Sequence, residues 1–123
     1  MFKITTEPKR WLVRLKFSGH LTLAEVSEFY RQQEAAIRTM GCPLGLHVVL
    51  IDATECPLQL QEIVGAFQGA MASPRRAKRV AMVTGGSLSR MQARRLLQRD
   101  EVAKFATVDE AEEWLFPSKK AAA

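Results

Sequence analysis

Thr84-Gly85-Gly86-Ser87 is the stretch whose residue types and order best suit binding chemistry. It follows a short apolar run, Val80 to Val83, and leads straight into a basic amphipathic pattern. A glycine turn between a strand and a helix aims backbone N–H groups at the helix N-terminus, where the macrodipole favours an anion. Arg90, one turn further on, can add a charge-assisted contact. The pattern is neither a P-loop nor GxGxxG: it lacks the Walker lysine and an acidic ribose ligand at the right distance. A glycine pair also serves positive φ and close backbone packing. Thr84, Gly85, Gly86, Ser87 and Arg90 are therefore a candidate anion site, weighed against a plain turn.

Arg90, Arg94, Arg95 and Arg99 form a second constellation. On a helix Arg90 and Arg94 share a face, as do Arg95 and Arg99. Arg94, Arg95 and Arg99 read as a docking surface for an acidic partner. The competing reading is a solvated face, its repulsion relieved by Asp100 and Glu101. The Asp109–Glu113 face of a second copy is one acidic surface that fits, which makes a homodimer one option. Another basic cluster is Arg75, Arg76, Lys78 and Arg79. No aromatic residues interleave with the arginines, and no reading-head motif is present, so nucleic acid is not the expected partner.

Reaction chemistry finds little support. His20 and His47 are the only histidines, and no motif links either to Ser87 or Ser89. A general base needs a partner within hydrogen-bond reach. Cys56, beside Pro57 at an expected helix start, is a site where a thiol pKa can fall; packing or capping is the competing role. Cys42 and Cys56 have no CxxC spacing, and the histidines do not cluster, so neither a metal site nor a disulfide framework is expected. The chain reads as a non-enzyme without a cofactor.

Composition agrees with an ordinary globular domain. The 123 residues are 47% hydrophobic and 25% charged, with 18 basic and 13 acidic side chains and a net charge of +5. That length suits one domain with one core, expected over residues 1–117, with 118–123 a frayed tail. No apolar run approaches the ~18–20 residues of a membrane span. The N-terminal residues lack a signal-peptide core, so a cytoplasmic location without membrane insertion is expected.

The elements alternate. Phe2 to Thr6 reads as an edge strand. Trp11, Val13, Leu15 and Phe17 then alternate with Arg14 and Lys16, the pattern of a half-buried strand. Glu7 to Arg10 joins the two as a hairpin. Thr22 and Glu25 have capping-box spacing, and Val26, Phe29, Tyr30, Ile37 and Met40 follow at helical intervals until Gly41 and Pro43. Val48 to Ile51 is a run expected of a strand covered on both faces. A helix is expected from Leu58 to Ala72, with Leu60, Ile63, Val64, Phe67 and Met71 inward. After Val80–Val83, Ser87 caps a helix to Arg99. Lys104 to Ala106 is a short strand. Thr107 or Asp109 then caps a last helix, with Val108, Ala111, Trp114 and Leu115 inward. The order is ββαβαβαβα: one α/β domain with a mixed sheet of four to five strands, a hairpin start and right-handed crossovers.

From Trp11 to Leu115 this sequence resembles the STAS superfamily, named for sulfate transporters and anti-sigma-factor antagonists, in its SpoIIAA-like branch. Four parts carry the likeness. They are the first long strand with Gly19 and Leu21-Thr22, the Val-Leu-Ile-Asp52 strand, the Arg79-Val-Ala-Met-Val83 strand, and the ending Phe105-Ala-Thr-Val-Asp-Glu-Ala-Glu-Glu-Trp114-Leu115. The resemblance implies a regulatory or protein-interaction module in the bacterial cytosol, with an unidentified protein partner. The regulatory members carry Asp-Ser-x-Gly with a phosphorylated serine. Here the region reads Asp52-Ala-Thr-Glu-Cys-Pro-Leu58, with no serine or glycine. Thr54 has Glu55 beside it, a poor neighbour for a new dianion; Asp52 and Thr54 are expected to cap the strand-to-helix turn instead. The alternative function is a small anion, nucleotide or lipid-headgroup binder using the Gly85-Gly86-Ser87 helix N-terminus.

Overall fold

β-Branched and aromatic residues concentrate in five short segments, and these lie side by side in one sheet. The computed structural model describes residues 1–43, 45–57, 59–71, 77–85 and 102–117, the side chains of 67–71 excepted. The strands are β1 (Phe2–Glu7), β2 (Leu12–Ser18), β3 (Val48–Glu55), β4 (Arg79–Thr84) and β5 (Val102–Phe105). Their spatial order is β1-β2-β3-β4-β5. β1 and β2 form an antiparallel hairpin, and the remaining neighbours pair in parallel. The described α-helices are α1 (Leu23–Met40), α2 (Gln61–Met71) and α3 (Val108–Leu115). This is the expected mixed α/β sheet with a hairpin start. The expected Ser87–Arg99 helix lies outside the described residues.

The pleat sends alternate side chains to opposite faces. On the first face, Val13, Leu15 and Phe17 of β2 meet Val49 and Val80 beneath Val26, Phe29 and Ile37 of α1 and Ile63 of α2. Phe29 is the hub, with ring centroids 5.8 Å from Phe2, 4.9 Å from Phe17 and 4.8 Å from Tyr30. The second face is smaller. Leu12, Val48, Leu50, Ala81 and Val83 pack under Ala111 and Leu115 of α3.

Local signals set the helix ends. Thr22 Oγ1 accepts from the Glu25 N–H at 3.1 Å, and the Glu25 carboxylate accepts from the Thr22 N–H at 3.2 Å, completing the capping box. Gly41, at φ 71°, closes α1 in the left-handed conformation that glycine tolerates. Thr107, rather than Asp109, caps α3, accepting from the Glu110 N–H at 3.2 Å.

Two expected core residues lie elsewhere. Trp11 does not belong to β2. It closes a short 3-10 turn, Pro8–Arg10, at φ 49°, and is 38% exposed. The left-handed conformation costs a non-glycine residue roughly 1–2 kcal/mol, offset here by the tight hairpin connection. The strand starts at Leu12, which is fully buried on the second face; β2 is covered on both sides over this part. Leu60 is 63% exposed because α2 begins at Gln61, not Leu58. Its carbonyl accepts from the Ile63 and Val64 N–H groups and so opens the helix. Phe67 and Met71 lie outside the described side chains. β5 begins at Val102, earlier than the expected Lys104.

Candidate functional site

Parallel strands present their C-terminal ends together, the usual place for a ligand in an open α/β sheet. Here β3 and β4 bring Asp52, Thr54, Thr84 and Gly85 to one end. Asp52 Oδ1 accepts from the Thr54 N–H at 3.1 Å and from the Thr54 hydroxyl at 2.7 Å. β3 continues to Glu55, so Asp52 and Thr54 end a strand instead of capping α2. A Cβ on Gly85 would lie 2.8 Å from the Thr54 carbonyl oxygen. Close backbone approach therefore accounts for this glycine. Thr84 is 3% exposed, and its hydroxyl has no hydrogen-bond partner. Gly86, Ser87, Arg90, Arg94, Arg95 and Arg99 lie outside the described residues.

Gln59 locks the same end of the sheet. Its amide nitrogen donates to the Gly19 carbonyl at 3.1 Å and the Pro57 carbonyl at 2.8 Å, while its oxygen accepts from the Leu21 N–H at 2.8 Å. It also donates to Cys56 Sγ at 3.1 Å. Cys56 is not at a helix start, because α2 begins at Gln61. Burial pushes its thiol pKa up, against the lowering expected from sequence. Cys42 and Cys56 are both free thiols. His47 is 2% exposed with Nδ1 unpartnered, and burial holds its pKa below the ordinary value against the opposing pull of Glu34. Among the described residues, no three His, Cys, Asp or Glu side chains gather as a metal site would need.

Helix α3 has two differently built flanks. On the hairpin side, Glu112 meets Arg14 and Arg10. Arg14 also donates to Glu7 at 2.8 Å, and Arg10 bonds the same carboxylate at 2.9 Å. These hydrogen bonds, first from Arg14 and then from Arg10, hold the Glu7 carboxyl below the usual range. The Arg10 guanidinium rests 4.5 Å above the Phe116 ring. Charge on this flank is paired within the fold.

The other flank, toward β5, is an open groove of about 740 Å³. Phe105 and Trp114 supply its aromatic walls, their centroids 5.6 Å apart. Asp109, Glu110 and Glu113 supply carboxylates, and Arg79 the one guanidinium among its described lining residues. Arg79 lies 4.9 Å from the Trp114 ring centroid and donates to the Trp114 carbonyl at 2.7 Å. The groove thus combines rigid rings with an excess of negative charge.

No family model matches the sequence, and no curated protein matches it. A solved structure does match. It is the crystal structure of an uncharacterized protein of the DUF3478 family, with a SpoIIAA-like fold, from Shewanella loihica PV-4. The TM-score is 0.70 and the identity 22%, over 94% of this chain and 92% of that one. This chain has a SpoIIAA-like fold. The likeness confirms the architecture to which the strand and ending motifs pointed. Among the described residues of this SpoIIAA-like chain, no helix is long and apolar enough to cross a membrane.

Sequence reasoning identified the acidic block at Asp109–Glu113 but not its groove. The signal was present, since Trp114 follows that block directly and Phe105 precedes it by four residues. The roles of Gln59 and Arg14 were also missed. Arg14 reads as an outward polar position of a strand, and nothing local announces Glu112 as its partner.

Proposed function

We propose that this SpoIIAA-like chain is a non-catalytic protein-interaction module of the cytosol, docking its partner in the groove beside α3. The observation that carries this reading is the groove's form. Small-molecule sites enclose most of their ligand. A shallow groove along a helix, with aromatic walls and a charged rim, suits a segment of polypeptide. Photocrosslinking tests the proposal. A photoreactive residue replacing Glu113 should give a protein-sized adduct in cells, and one replacing exposed Arg31 on α1 should not. No adduct from position 113, or equal adducts from both, would contradict it.

One observation favours a second reading, anion binding at Gly85, Gly86 and Ser87 with Arg90: the unpartnered Thr84 hydroxyl that precedes this turn. Sulfate or phosphate should then raise the melting temperature saturably. Chloride at equal ionic strength should not, and Arg90→Ala should remove most of the gain. Equal effects of sulfate and chloride would reduce the segment to a turn.

A further inference from the structure

The groove beside α3 selects for a particular partner chemistry. Three carboxylates face one guanidinium, and that guanidinium is already engaged with the Trp114 ring and carbonyl. Asp109 takes no hydrogen bond or ion pair among the described residues. Asp109 and Glu113 stand four residues apart, hence one above the other on the helix surface. Phe105 and Trp114 stand beside them. Carboxylates next to ring faces are the surroundings that arginine uses best, bidentate at the acid and stacked on the ring. The opposite flank of the same helix already shows this chemistry inside the fold, where Arg14 and Arg10 hold Glu112 and Arg10 covers the Phe116 ring.

We infer that the groove's partner is a second copy of this chain, contributing its arginine-bearing segment 90–99. This rests on the interaction-module reading and names the partner for it. Charge complementarity supports the choice. The chain carries a net charge of +5, yet acidic residues are concentrated on α3. The pairs Arg90 with Arg94 and Arg95 with Arg99 repeat the four-residue spacing of Asp109 and Glu113. On a helix, two guanidinium groups one turn apart then meet two carboxylates one turn apart. Each copy carries both surfaces, so two reciprocal contacts can form about a two-fold axis.

Sedimentation of the full chain tests the inference. The wild type should self-associate, and raising salt from about 50 mM to about 500 mM should weaken association at least tenfold, because exposed charges are screened over that range. Asp109→Asn/Glu113→Gln should sediment as a monomer with an unchanged melting temperature, since both positions are exposed on the outside of α3. Arg94→Glu/Arg95→Glu should also be monomeric. Mixing the two variants should restore one contact, because one keeps the arginines and the other keeps the groove. A monomeric wild type at low salt would overturn the inference, as would unchanged association of the Asp109→Asn/Glu113→Gln variant. A crosslink from position 113 to a different polypeptide would overturn self-association and leave the interaction-module reading standing.

Discussion

The two faces of the sheet are built on different terms. The first face lies under α1 and α2, and its core is apolar throughout, with three aromatic rings packed around Phe29. Among the described residues, the second face is covered by one helix of eight residues, α3. Around that helix the fold uses charge: paired arginines on one flank, an acid-rich groove on the other. Apolar burial is non-directional and stabilises whatever packs closely. Charge at a partly exposed face adds little stability but sets which partner is accepted. The first face therefore holds the fold, and the second offers a surface for recognition.

The largest expected difference follows from truncating each face. Phe29→Ala should cost about 3–5 kcal/mol of stability in urea unfolding, because it empties the centre of the aromatic cluster. Substitution of Asp109 or Glu113 by its amide should stay within about 0.5 kcal/mol of wild type. A large loss from the groove substitutions would erase the distinction between the faces.

Gly85→Ala comes next. The new Cβ would meet the Thr54 carbonyl oxygen at 2.8 Å, and that atom belongs to backbone, which yields poorly. Overpacking of this kind costs roughly 1–3 kcal/mol. A neutral result would remove the close-packing explanation for Gly85 and strengthen the anion-binding reading of its turn.

Titration should separate the groups tied into the fold from those on the rim. The depressed His47 pKa means that the unfolded chain binds this proton more readily than the folded one. Its contribution to stability is present above the unfolded value of about 6.5 and is lost as pH falls toward the folded value. The melting temperature should therefore drop between about pH 7.5 and about pH 5.5, and His47→Gln should flatten that slope. A slope unchanged by the substitution would assign it elsewhere. Glu7 acts at lower pH with the same sign. Its hydrogen bonds to Arg14 and Arg10 stabilise the fold above the ordinary carboxylate range and are lost on acidification.

What the amino-acid sequence revealed was largely local. The Thr22–Glu25 capping box, the Gly41 stop and the apolar runs of β3 and β4 each announce themselves within a few residues. The strand order and helix ends followed from them. Trp11 was misplaced because alternation continued through it, whereas the Pro8 turn requires a left-handed residue there. Leu60 fitted a helical stripe but precedes the first helical residue. Site geometry was less visible for a different reason. Arg14 and Glu112 are 98 positions apart, and Arg79 reaches Trp114 across 35. Only the closed fold brings such groups together, so spacing along the chain carries no trace of them.

The most direct test of the second face as a docking surface is a dilution series followed by the backbone amide resonances. With increasing protein concentration at low salt, the account predicts progressive shifts at Phe105 and across Asp109–Trp114. The amides on the outer side of α1 should stay fixed. Resonances that do not move over the whole series, or movements that gather on α1 instead, would contradict it.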